Sequence, residues 1–225
     1  MRIIFVRHGE PDYVRDCLTP LGHLQARAAA ERLAHEGIEA VYSSPMGRAR
    51  ETAAYTAQRL GLPVQILDFM HELRWGSADG APLFSDGHPW DIADELIRQD
   101  WDLTRPDWPA HPFFSRNLVT ESAAKAGLET DRFLETLGYS RQGNYYRCDA
   151  KDGPQRTVAV FCHGGSSTAA LAQLFSLPFP YLCAAVHLDF SGLFIVRLTK
   201  RSGSLCLPIA ELCGDDRHIR GIAAP

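Results

Sequence analysis

Apolar positions in this chain fall into two patterns: short unbroken runs, and longer stretches with helical spacing. Ile3-Ile4-Phe5-Val6 has no polar break, which is the pattern of a strand covered on both faces. Ile38 to Tyr42, Val64 to Leu67 and Thr157 to Cys162 read the same way. Leu193 to Leu198 and Leu205 to Leu212 read as final strands, joined as a hairpin through Ser202-Gly203. Between the early strands, Leu24, Ala28 and Leu33 mark a helix. Thr19 is its expected N-cap, Pro20 its first residue and Gly37 its stop. Ser44-Pro45 repeats the cap-plus-proline device before a helix that runs to Leu60 and ends at Gly61. Gly164-Gly165-Ser166 leads into another helix, Thr168 to Phe175.

Strands alternating with helices predict an α/β fold: three layers, α/β/α, around a mainly parallel (mixed) central sheet. The alternation lapses between Trp75 and Arg156, where prolines and Trp90, Trp101 and Trp108 surround helical segments near His88–Gln99 and Thr120–Leu137. The expected organisation is one domain over 1–225 with a mostly helical cap insertion at about 76–156. That insertion carries too few strand signals for a sheet of its own. Its tryptophans are expected to form a small core, with Trp75 near enough to a site to touch substrate.

Composition narrows the function. The 225 residues suffice for one large domain with a sizeable core, and the net charge of −4 gives no reason to expect nucleic acid or an anionic membrane as partner. No run approaches the roughly 18 apolar residues of a membrane span. Arg7, His8 and Glu10 interrupt the first apolar run too early for a secretory signal. The six cysteines form no CxxC pair and no zinc-finger spacing, so reduced thiols in the cytoplasm are expected.

The chemistry gathers at strand ends. His8 follows the first strand, Ser43-Ser44-Pro45-Met46-Gly47-Arg48 the second, and His163-Gly164-Gly165 the strand at 157–162; Glu72 lies just past the third. Parallel strands would bring all of these to one edge, where such sheets bind ligands. Arg7 and His8 are adjacent and would diverge on a continuing strand, but Gly9 lets the backbone turn so that both face one site. Two arginines and two histidines in a slightly acidic protein suit an anion, and a guanidinium matches phosphoryl oxygens bidentately. Helix starts at Arg48 and at Gly164-Gly165 add free N–H groups. GxxxxGK[ST] and GxSxG are absent, and Thr168 stands where a Cys162-based phosphatase loop would need arginine.

Arg7-His8-Gly9-Glu10, Leu18-Thr19-Pro20-Leu21-Gly22-His23, Ser43-Ser44-Pro45-Met46-Gly47-Arg48-Ala49-Arg50-Glu51-Thr52-Ala53 and His163-Gly164-Gly165 together resemble the histidine phosphatase superfamily, also called phosphoglycerate mutase-like. The resemblance is close over residues 1–75 and 157–175. It implies that His8 is a nucleophile forming a phosphohistidine, that Arg7, Arg48 and His163 hold the phosphoryl oxygens, and that Glu72 is the acid that protonates the leaving group. Glu10, Asp79 and Asp189 are the competing acids. Arg50 points to another side of its helix and is expected to be solvated. No metal and no other cofactor is needed, because the arginines supply the countercharge. The expected reaction is hydrolysis of a phosphomonoester of a small molecule. The stretch Glu72-Leu73-Arg74-Trp75-Gly76 departs from the mutase pattern, which leaves a phosphoglycerate mutase-type phosphotransferase as the runner-up. A non-catalytic phospho-ligand-binding module and a metal-dependent hydrolase stand behind it. Arg74, Arg141, Tyr145 and Tyr146 are further candidates to reach the substrate.

Overall fold

A computed structural model describes residues 1–149, 156–199 and 201–222. Its strands are β1 (Arg2–Arg7), β2 (Pro11–Asp12), β3 (Cys17–Leu18), β4 (Ile38–Ser43), β5 (Val64–Ile66), β6 (Tyr139–Gln142), β7 (Tyr145–Cys148), β8 (Thr157–Cys162), β9 (Leu193–Arg197), β10 (Leu205–Cys206) and β11 (Ile209–Asp215). Its α-helices are α1 (Pro20–Leu33), α2 (Gly47–Leu60), α3 (Pro89–Arg98), α4 (Leu118–Thr136), α5 (Gly164–Phe175) and α6 (Phe179–Ala185).

Six strands form the central sheet in the order β11-β9-β1-β8-β4-β5. β1, β8, β4 and β5 run parallel; β9 pairs antiparallel with both β1 and β11, so β9 alone is reversed and β11 runs in the direction of β1. The unbroken apolar runs are explained by the two faces. Ile3, Phe5, Val158, Val160 and Cys162 pack on one side, in the core that also holds buried residues of α3, α4, α5 and α6. Ile4, Val6, Ala159 and Phe161 pack on the other, with Leu33 of α1 and Ala53 and Ala57 of α2. Period-two alternation sends each neighbour to the opposite layer. Burial contributes about 1.5–3 kcal/mol per large apolar side chain, so β1 is fixed from both faces. The fold is the expected α/β/α arrangement with a mixed, mostly parallel sheet.

The register sets the site. Arg7 pairs with Cys162 and Ser43 with Phe161, so the chain leaves β1, β8 and β4 at one level. β8, late in sequence, lies between β1 and β4.

Several expectations need correction. The helix after β4 starts at Gly47 with Met46 as N-cap, not at Ser44-Pro45. α5 begins at Gly164, so Gly164-Gly165 form its first turn rather than a loop before it. Leu205 to Leu212 is not one strand: Pro208 separates β10 from β11, and only β11 pairs with β9. β10 pairs instead with β7, giving a three-stranded sheet β10-β7-β6 in the region expected to lack one. Residues 150–155 of that region lie outside the described residues.

Candidate active site

The site is built where β1, β4 and β8 end. His8 N–H continues the ladder to Cys162 O at 3.0 Å, and Ser44 N–H reaches Phe161 O at 2.8 Å. Phe190-Ser191-Gly192 crosses beneath. Ser191 N–H donates to Arg7 O and His8 O, both at 3.0 Å, and the Phe190 ring lies 4.2 Å from the Arg7 guanidinium carbon. Gly9 serves close packing rather than a turn, since a Cβ there would stand 2.6 Å from Gly22 O at the start of α1. The backbone therefore presents both Arg7 and His8 to one place, as expected, but for a different reason.

The hydrogen bonds of His8 fix its chemistry. Its Nδ1 lies 2.7 Å from Gly9 O, an acceptor, so Nδ1 carries the proton. Its Nε2 accepts from Arg48 Nε at 3.3 Å, and arginine can only donate. His8 is thus a neutral imidazole with its lone pair on Nε2. Burial, helped by the charges of Arg48 and Arg7, lowers its pKa from 6.5 to about 3. Its ring centroid is 5.0 Å from that of His163.

His163, fully buried, is also held neutral, first by burial and then by His8 and the two arginines. Its Nε2 lies 2.8 Å from Ser44 Oγ. Ser44 Oγ accepts the Met46 N–H at 3.2 Å, so its own proton is free to go to Nε2. With that donation the imidazole proton of His163 is on Nδ1, which has no hydrogen-bond partner among the described residues. Arg7 Nε is likewise buried and unpartnered there, while Arg7 NH1 donates to Leu188 O at 2.7 Å. Two unpartnered buried donors beside one lone pair form a surface suited to an anion's oxygens.

Arg48 is buried in the first turn of α2. Its NH1 pairs with Asp16 Oδ1 at 2.5 Å, and Asp16 Oδ2 accepts the Gly47 N–H at 2.7 Å. Arg50, by contrast, is exposed as expected.

Glu72 approaches from beyond β5. Its Oε1 accepts from Leu73 N–H at 2.9 Å and from Ser166 N–H of α5 at 3.2 Å. A Cβ at Gly165 would stand 2.5 Å from this oxygen, so a glycine is needed there. Burial raises the pKa of Glu72 against the pull of these N–H groups, Arg48 and Arg7. The competing acids are engaged elsewhere. Glu10 accepts from Thr19 Oγ, Asp79 from Ser77 and Ala81, and Asp189 pairs with His187. The Cys162 thiol is fully buried and its pKa is pushed up, which leaves it inert.

Arg7, Arg48 and Glu72 line one end of a cavity of about 910 Å³, which continues past Leu73, Trp75 and Trp90. Of the remaining candidates, Tyr146 is fully buried and Arg141 is held by Asp131 and Tyr146; Arg74 and Tyr145 do not line the cavity. Among the described residues, no group of three or more His, Cys, Asp or Glu is placed to hold a metal ion. No single helix there is long and apolar enough to cross a membrane.

Sequence reasoning missed Ser44 and Asp16 as site residues. Ser44 carries the signature of a helix cap, which hides its bond to His163. Asp16 sits in the β2–β3 turn with φ of 51°, and no local pattern points from there to Arg48.

Comparison with known proteins gives a consistent result. The family model of the histidine phosphatase superfamily (branch 1) matches residues 3–205. A putative phosphoserine phosphatase 2 from Hydrogenobacter thermophilus is 24% identical over 221 residues, covering 94% of this chain and 96% of that protein. A glucosyl-3-phosphoglycerate phosphatase from Mycobacterium tuberculosis is 28% identical over 187 residues, covering 79% of this chain and 76% of that protein. Among solved structures, a phosphoserine phosphatase from Entamoeba histolytica superposes with a TM-score of 0.63 at 21% identity, covering 96% of this chain and 98% of that one.

Proposed function

The chain belongs to the histidine phosphatase superfamily (branch 1), and we propose that it hydrolyses phosphomonoesters of small molecules with His8 as the nucleophile. The observation that carries this reading is the fixed tautomer of His8, with Nδ1–H on Gly9 O and the lone pair of Nε2 beside Arg48.

A phosphoryl group enters against Arg7, Arg48 and Nδ1–H of His163. His8 Nε2 forms the P–N bond as the P–O bond to the leaving group breaks. Glu72, whose protonated form burial favours, gives its proton to the departing alkoxide. The same carboxylate then takes a proton from water. The resulting hydroxide attacks phosphorus, the P–N bond breaks, and phosphate leaves with His8 again neutral. The two guanidinium groups carry the charge that develops on the equatorial oxygens, so this chemistry asks for no metal. Ser44 orients His163, and Asp16 holds Arg48.

The relatives are named for phosphoserine and for glucosyl-3-phosphoglycerate, which supports a small phosphorylated metabolite as substrate class here. Six cysteines, none in a disulfide, fit a reducing compartment.

The test is turnover of 4-nitrophenyl phosphate by purified protein in the presence of a chelator. His8→Ala should abolish it and prevent acid-labile, base-stable phosphate labelling of the protein. Wild-type turnover by His8→Ala would refute the mechanism.

A further inference from the structure

Beyond the phosphoryl end, the large cavity changes character. The ring of Trp75 stands edge-on to that of Trp90, with centroids 6.4 Å apart and an interplanar angle of 85°. Trp90 continues to the phosphoryl site itself. A Cβ at Gly164 would lie 3.6 Å from the Trp90 ring and 3.8 Å from the Arg7 guanidinium carbon. The edge of the Trp90 indole and the Arg7 guanidinium thus border the same small space, the one a side chain at Gly164 would fill. Leu73, Val186 and Leu188 extend this apolar wall.

The charges in the cavity point the same way. The only guanidinium or ammonium groups that line it among the described residues are Arg7 and Arg48, both at the phosphoryl end. The other basic groups on its wall are two imidazoles, and each already faces a carboxylate. His88 Nδ1 is 3.2 Å from Asp91 Oδ1, and His187 Nε2 is 3.1 Å from Asp189 Oδ1. A second anionic group on a substrate would therefore find no guanidinium or ammonium beyond the phosphoryl end and a carboxylate beside each imidazole, so its desolvation would be poorly offset.

We propose that the preferred substrates are aryl or arylalkyl phosphomonoesters without a second anionic group, the ring of the leaving group lying against Trp75 and Trp90. This rests on the phosphatase reading above and specifies its substrate class.

Three substrates with alcohol leaving groups separate binding of the ring from ease of bond cleavage: 3-phenylpropyl phosphate, propyl phosphate and 3-phosphoglycerate. The first two expel alkoxides of nearly equal basicity, so a difference between them reports the ring. Burial of a phenyl group in such a wall raises kcat/KM about ten- to hundred-fold. The expected order is 3-phenylpropyl phosphate, then propyl phosphate, then 3-phosphoglycerate. Trp75 is 37% exposed, so its replacement should not unfold the chain. Trp75→Ala should cut the phenylpropyl-to-propyl ratio several-fold, and Trp75→Phe should restore most of it. The wild-type ratio needs no variant and decides by itself. A ratio near one, or 3-phosphoglycerate as the best substrate, would overturn the proposed class while leaving hydrolysis intact. Absence of turnover on all three and on 4-nitrophenyl phosphate would overturn the phosphatase reading, and the class with it.

Discussion

Acidification should expose how much the fold spends on keeping His8 neutral. The buried imidazole titrates near pH 3 in the folded chain against 6.5 as its ordinary value. Between these values the unfolded chain binds a proton that the folded chain refuses, so stability rises with pH there and falls on acidification. Each refused proton costs about 1.4 kcal/mol per pH unit. From pH 6.5 down to pH 4 the loss from His8 alone is roughly 3 kcal/mol, a large part of a typical total of about 5–15 kcal/mol. Other groups titrate as well: His163 adds to the loss, while Glu72, with its raised pKa, opposes it. The Glu72 contribution is common to the wild type and to His8→Gln, so the difference between the two reports His8 together with its coupling to His163. Urea unfolding followed by tryptophan fluorescence at pH 7, 6, 5 and 4 measures it. The wild type should lose about 3 kcal/mol more than the variant over this range. A difference that stays constant from pH 7 to pH 4 would show that His8 is not held neutral by burial, and the nucleophile assignment would lose its physical basis.

Three further outcomes follow from the site. Glu72→Gln should lower kcat about 10²- to 10⁴-fold on alkyl phosphates and far less on 4-nitrophenyl phosphate, whose leaving group needs no proton; equal losses on both would move the acid elsewhere. Ser44→Ala frees the His163 tautomer and strands its Nε2, so kcat/KM should drop about ten-fold with a loss near 1–3 kcal/mol in stability, and Ser44→Thr should recover most of both. Gly165→Ala pushes a methyl group into Glu72 Oε1, 2.5 Å away, and against Cγ of the buried Leu73, 3.0 Å away. It should therefore reproduce the kinetic defect of Glu72→Gln and lower the thermal midpoint; normal kinetics would mean that the carboxylate position is unimportant.

The residues that sequence reasoning could place are those whose position follows from a strand end. Arg7, His8 and His163 close unbroken apolar runs, and a parallel sheet sends such ends to one edge. The pairing of β1 with β8 is another matter, because no local pattern encodes which strands are neighbours. Ser44 shows how one signature can conceal another. Ser-Pro reads as a cap, yet α2 starts later, at Gly47, where the carboxylate of Asp16 takes the free N–H. The β6–β7 hairpin escaped notice because its apolar residues are few; Tyr139 and Tyr146 carry its buried face, with Ser140, Arg141 and Gln142 between them in the chain. Pro208 was the available clue that Leu205 to Leu212 could not be one strand, since proline cannot donate to a ladder.

The insertion of β8 between β1 and β4 also has a consequence for biogenesis. In the order of synthesis His8 precedes its neighbour His163 by 155 positions. Until residues 157–162 arrive, β1 and β4 have no strand to bridge them, so nothing fixes His8 at its distance from Arg48, and His163 is missing. Pairings of such long sequence separation form late and slowly. A nascent chain that stops short of β8 therefore carries the proposed nucleophile without His163, and the proposed site is completed in the same step that closes the sheet.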